Sequence, residues 1–453
     1  MNTRNPSNRK LWCFVIGFLL LVILLPVILA MLPIWDGPPV DDSDMEIVYR
    51  EIPDEQNAFE LFREAEAAMV PRPDLEVWKQ WYDDPPAHAE EIRAWVTSNQ
   101  EAIRLLSEGV ALGDYQTPEV KRYTDEVPWI TGSLAMGEFL RMAVRMEPDP
   151  VKRMDLHLLQ LRYAELTYHA GSSLIEALVG IALHSFANYS LFDTLQDIEM
   201  DKASLRRLLT ALLEIRIDEE RMIQALQSEY RALVLFMEEV MRLGGGEYDA
   251  LGVNFPVSSF LHPFTRPGTW GYQEENTKRL YLECIRPPIA YLRGEMSYEL
   301  MESSYLKIEE LTGPPTPLHP KIYNGIGKLL VNQLSDSGGG LVNKYKETLA
   351  DLHALRLVTA LQLYHREQGH LPDTLQALVP DLLDEVPADP FDGQPFRYLP
   401  AEARIYSIGK NREDNGGSIR VITRRRSTPD RNHTEDRVYG VFEEIELERE
   451  PGR

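Results

Sequence analysis

The 453-residue chain has only two cysteines, Cys13 and Cys284, too few for a disulfide framework. Any fold it makes must rest on its core. It is also short of positive charge: 47 Lys and Arg stand against 71 Asp and Glu, a formal net charge of −24. Phosphate binding needs clustered cations, so nucleic acid is excluded as a partner. The one basic cluster, Arg424 to Arg426, is short, is followed by acids, and reads as a solvated loop. Signatures of catalysis are missing too. No His-Glu-x-x-His, Gly-x-Ser-x-Gly, dinucleotide Gly-x-Gly-x-x-Gly or Cys-x-x-Cys occurs. The sequence therefore assigns no catalytic and no cofactor-binding residue.

What is present begins at the N-terminus. "LWCFVIGFLLLVILLPVILAMLPIW", Leu11 to Trp35, carries no charged side chain. About 20 apolar residues in a helix cross the ~30 Å hydrocarbon core, so this run is long enough to span it. Trp12 and Trp35 bracket the run at headgroup level. Arg4, Arg9 and Lys10 precede it, and Asp36, Asp41, Asp42 and Asp44 follow. The positive-inside rule then keeps residues 1–10 in the cytoplasm and exports the bulk. The run exceeds an ordinary signal-peptide core and no A-x-A-like site closes it, so it reads as an uncleaved anchor in the inner membrane.

Residues 36–55, acidic and with Pro38, Pro39 and Pro53, read as an extended tether. Helical periodicity dominates 56–337 and predicts a large all-α domain, a bundle or irregular solenoid without a fixed repeat. "LIEALVGIALHSFANYSLFDTL" reads as a buried core helix, because a second membrane span would have to carry Glu176, His184 and Asn188. Leu205, Leu208, Leu209 and Leu212 follow the helical spacing behind Asp201, a candidate N-cap. Ile223, Leu226, Tyr230, Leu233, Met237 and Val240 mark the next helix, ended by Gly244 to Gly246. A helix through "ENTKRLYLECI" is expected to break at Pro287 and Pro288. "SDSGGG" marks a boundary, and 338–453 open on a helix over about 342–368 that Gly369 stops. Turns and short strands follow: "FRYLP", "ARIYSIG", "SIRVIT" and "RVYGVFEEI".

The ending, "GHLPDTLQALVPDLLDEVPADPFDGQPFRYLPAEARIYSIGKNREDNGG", resembles the C-terminal region of the major pseudopilin of type II secretion. The shared string includes Gly369, Pro372, Pro387, Asp389, Pro390, Phe391, Gly393, Pro395, Phe396, Tyr398, Tyr406, Ser407, Gly409, Gly416 and Gly417. It covers roughly residues 345–420. The whole chain, including "IPDEQNAFELF" and "YNGIGKLL", is also similar to large bacterial membrane-anchored proteins with this ending. The resemblance implies a small α+β pseudopilin-like domain, a long helix with a short antiparallel sheet. It also implies calcium in the loop after the Tyr-Ser-x-Gly strand. Asn411, Glu413, Asp414 and Asn415 are the oxygen donors available there. The anchor lacks a prepilin-type acid, and some 300 residues separate it from the pilin-like helix, so pilin-like processing and polymerisation are not expected.

Three partial motifs are weaker. "NGIGK", Asn324 to Lys328, is half a phosphate loop, lacking the first Gly and the terminal Ser or Thr, and reads as a helix start. Glu367 and His370 have di-iron spacing without a second copy. Glu165 and His169 lie one helical turn apart. The function expected is therefore a single-pass membrane-anchored cell-envelope protein with a structural or protein-interaction role. Its partners would be the bilayer, through residues 11–35, and other envelope proteins. The alternative is an exported, hydrolase-like enzyme, supported if Glu165, His169, Glu176 and His184 converge in a pocket.

Overall fold

In a computed structural model of the chain, the described residues are Leu25, 35–242 (without 51, 124, 172, 198 and 199), 272–304, 324, 327, 328, 331, 338–417 and 436–442. Most of the charge-free run, Gly244 to Gly246, Arg424 to Arg426 and the strand expected at 418–423 lie outside them. The described chain is mainly α, 66% helical, with a small three-stranded antiparallel sheet near the C-terminus. It divides into two compact units. One comprises 1–47, 120–125 and 226–340; the other comprises 48–119, 126–225 and 341–453.

The larger unit holds α1 (Phe59–Ala68), α2 (Leu75–Asp83), α3 (Ala89–Ser98), α4 (Gln100–Leu112), α5 (Trp129–Met146), α6 (Pro150–His169), α7 (Leu174–Asp197) and α8 (Lys202–Glu214). Its first core is aromatic. Trp95 meets Trp78 and Phe139 edge-on at 5.6 and 5.2 Å, and Phe62 meets Tyr163 at 5.0 Å. Such edge-to-face pairs add about 0.5–1.5 kcal/mol each beyond burial. Among the described residues one helical stretch, Leu174–Gln196, is long and apolar enough to cross a membrane. It is 67% buried within the fold, so its apolarity is used as core. In α8, Leu205, Leu208, Leu209 and Leu212 are all buried, and Asp201 Oδ1 accepts the Ser204 amide at 2.7 Å, as the spacing predicts.

The C-terminal part of this unit is α11 (Gly338–Gln368), from Leu341 onward, with β1 (Arg397–Leu399), β2 (Arg404–Ser407) and β3 (Arg437–Gly440), in spatial order β1-β2-β3. Register pairs Tyr398 with Ile405, and Ile405 with Tyr439. The polar residues in the middle of α11, Arg356, Thr359 and Gln362, are not a solvent face. Arg356 donates to the Leu212 and Ile215 carbonyls at 3.0 and 2.7 Å, satisfying the end of α8. Gln362 Nε2 donates to the carbonyls of Leu195 and Val441 at 3.0 and 2.6 Å, joining α7 to the chain after β3. The turn before β1 is organised by buried Asp389, which accepts the amides of Phe391 and Ile408 at 3.0 and 2.9 Å.

Two further helices are α9 (Glu219–Arg242), divided between the units at Ala225, and α10 (Glu274–Leu292). Ile223, Leu226, Tyr230, Leu233 and Met237 of α9 are buried as expected; the side chain of Val240 lies outside the described set. The break expected at Pro287 and Pro288 does not occur: α10 runs through both. The missing amides cost hydrogen bonds. Burial of Tyr281, Leu282, Ile285, both prolines, Ile289 and Leu292 on the same helix outweighs that loss.

In the smaller unit the acidic segment after Trp35 is bonded along α9 and α10. The Asp36 carboxylate accepts the amides of Glu275 and Asn276 at 2.7 and 3.0 Å, capping α10 from more than 200 positions away. Arg286 grips the Asp44 carboxylate through Nε and Nη2 at 2.9 and 2.8 Å and reaches the Asp41 carbonyl. Tyr230 of α9 donates to Asp42 Oδ2 at 2.6 Å. Asp36 thus caps a helix, Asp44 pairs with an arginine and Asp42 accepts a tyrosine hydroxyl.

Candidate functional site

The four residues singled out for chemistry on α6 and α7 have separate partners. Glu165 Oε1 accepts the Arg216 amide at 2.9 Å, and His169 Nε2 lies 3.2 Å from the Arg216 carbonyl. One helical turn apart, they clamp the backbone of the link between α8 and α9. Glu176 accepts the Trp129 indole N–H at 2.7 Å and the Ser173 hydroxyl at 3.1 Å. His184 is fully buried edge-on to Tyr168, and burial, with His169 adding to it, lowers its pKa to about 3. A neutral, enclosed imidazole does not meet substrate. Glu367 pairs with Arg206, while His370 lies against its neighbour's carbonyl and the Tyr364 ring. Asn324 accepts the Gln273 amide at 2.9 Å, and a Cβ on Gly327 would meet Thr277 Oγ1 at 2.0 Å. The half phosphate loop thus seats the start of α10.

The C-terminal loop gathers charge differently. Arg397 of β1 faces three carboxylates: Asp389 at 3.2 Å, Asp392 at 2.5 Å and Asp414 at 3.5 Å. Asp389 also accepts the Ser407 hydroxyl at 2.8 Å. Asp414 Oδ1 accepts the Tyr406 hydroxyl and the Gly416 amide at 3.1 and 3.0 Å, and the amide bond leads in holding its carboxyl below the usual range. Asn411 donates to Asn415 Oδ1 at 2.9 Å and its own oxygen takes the Glu413 amide at 3.3 Å. Asp436 fastens the loop to β3 through the Asn415 and Gly417 amides. Among the described residues no three His, Cys, Asp or Glu side chains are grouped to hold a metal ion. As placed, the oxygens of Asn411, Asp414 and Asn415 already accept hydrogen bonds, and the guanidinium of Arg397 supplies the cation. That set does not fit calcium, which needs several free hard oxygens around one point.

The strongest chemical candidate was not legible in the sequence. Glu66 of α1, its side chain 7% exposed, pairs with Arg63 and lies 3.4 Å from the Ser133 hydroxyl of α5. Burial raises its pKa from 4.5 to about 7, with Arg63 and Ser133 opposing. A Cβ on Gly132 would sit 2.3 Å from its carboxyl carbon, so a larger residue there would displace the Glu66 side chain from this position. Such a group exchanges a proton near neutrality, a property of general acids and bases. The sequence shows only a Glu on an amphipathic helix and a Gly-Ser pair far away; their meeting has no local signature. None of the family models, curated proteins or solved structures compared with this chain matches it.

Proposed function

We propose that this chain is a single-pass, membrane-anchored protein of the cell envelope with a structural or protein-interaction role, its N-terminus cytoplasmic and its bulk outside the inner membrane. The observation that carries the reading is the charge-free run Leu11 to Trp35, with Arg4, Arg9 and Lys10 before it and four aspartates soon after. Two features support an interaction role over catalysis. Glu165, His169, Glu176 and His184 are each engaged in holding helices or enclosed in the core. The C-terminal helix and sheet, with their pseudopilin-like string, commit polar residues such as Asp389 and Arg397 to turns and ion pairs. The test is fractionation with protease access: carbonate-washed membranes retain the protein, and protease added to spheroplasts removes its C-terminus. Recovery in the soluble cytoplasm would overturn the proposal.

A second reading, an exported hydrolase-like enzyme, rests on the Glu66–Ser133 niche. Hydrolysis of ester or amide substrates, abolished by Glu66→Gln with the fold retained, would favour it.

A further inference from the structure

In the larger unit a cleft of about 400 Å³ opens between α3, α4, the end of α5 and the start of α6. That volume is in the range of small-molecule sites, ~300–1,000 Å³. Its floor is apolar, with Val96, Ile103, Met146 and Leu159 among the lining side chains. Four charged residues also line it, and they divide by sign. The acids are engaged: Glu147 Oε1 accepts the Asp149 amide at 2.9 Å, and Asp155 pairs with Arg207 at 2.7 Å. The cations, Arg93 of α3 and Lys152 of α6, are exposed, and neither head group has a partner among the described residues.

We infer that this cleft binds a long-chain carboxylate, a fatty-acid-like anion whose alkyl chain lies on the apolar floor and whose head group meets Arg93 and Lys152. Burying methylene groups on the floor supplies the attraction. The head group then selects. A planar carboxylate matches the two-pronged guanidinium of Arg93, and Lys152 adds a point charge. The selectivity runs against the molecule as a whole, since a chain of net charge −24 attracts cationic amphiphiles over its general surface. Preference for the anion is therefore diagnostic of this cleft. The inference is independent of where in the cell the chain resides.

The full chain, reconstituted in nanodiscs of zwitterionic lipid, is photolabelled with a twelve-carbon carboxylate bearing a diazirine. A diazirine amine of equal length is run in parallel, and labelled peptides are identified by mass spectrometry. The expected result is labelling concentrated on peptides spanning 93–107 and 143–159, competed by dodecanoate and weak for the amine. In the Arg93→Gln/Lys152→Gln variant it falls roughly ten-fold, the loss of one charge-assisted head-group contact or more. Both positions are exposed, so the variant keeps the wild-type circular dichroism and melting temperature. Labelling spread over the chain, equal labelling by the amine, no labelling, or labelling unchanged in the double variant would each overturn the inference.

Discussion

Arg397 and Arg437 both belong to the C-terminal sheet and both collect carboxylates, yet they do opposite things. Arg397, its side chain 21% exposed, spreads over Asp389, Asp392 and Asp414 and closes a turn at the surface. Arg437 is 4% exposed and its Nη2 donates to both carboxylate oxygens of Asp351 of α11, at 2.7 and 2.8 Å; Tyr439 donates to the same carboxylate at 2.7 Å. Although burial works against its charge, Asp351 holds Arg437 firmly protonated. The first cluster is screened by water and replaceable in part. The second fastens β3 to the central helix, and each charge there depends on the other for its solvation.

Removing one partner is the sharpest way to break this contrast. Arg437→Met strands Asp351 as a buried charge, and a loss of about 3–5 kcal/mol is expected by urea unfolding. A loss below 1 kcal/mol would mean that the two clusters are equivalent. The Arg63–Glu66 pair sharpens the comparison, because there burial beats the arginine. The Glu66 carboxyl moves up from 4.5 to about 7, so the fold favours its neutral form. The stability this contributes is complete below about pH 4.5 and is lost as pH rises through about 7. Relative to Glu66→Gln, the wild type should lose up to about 3 kcal/mol between those limits. Parallel stability curves against pH would refute the shift.

Asp389→Ala, removing the acceptor of two amides and a hydroxyl, is expected to cost about 2 kcal/mol by the same measurement. Asp36→Ala should cost about 1 kcal/mol, as for a lost N-cap, with faster amide exchange confined to the first turn of α10. Arg397→Met is the mildest, under about 1 kcal/mol, because Asp389 keeps its other donors. If it matched Arg437→Met, exposure would not be what separates the two sites.

Several of these elements were readable in one dimension. The leucines of α8 with their Asp201 cap, the buried stripe of α9 and the turn that Asp389 closes on the Phe391 amide all depend on residues a few positions apart. The fate of the acids after Trp35 was not readable, since Asp36 finds its donors at Glu275 and Asn276. Nor was the continuity of α10 through Pro287 and Pro288, which local sterics argue against and burial permits. The Glu66 niche depends on the missing Cβ of Gly132, which no periodicity reports.

Local order, then, was settled by the sequence alone: a charge-free run at the N-terminus, amphipathic helices by their spacing, a proline-glycine turn before short strands. Period and capping act over one or two turns of chain, so they are written in neighbouring residues. Which carboxylate meets an arginine, which meets an amide and which is left near neutrality was decided only by the tertiary structure. Those outcomes turn on desolvation and on partners brought together from distant positions, and both exist only once the helices have packed.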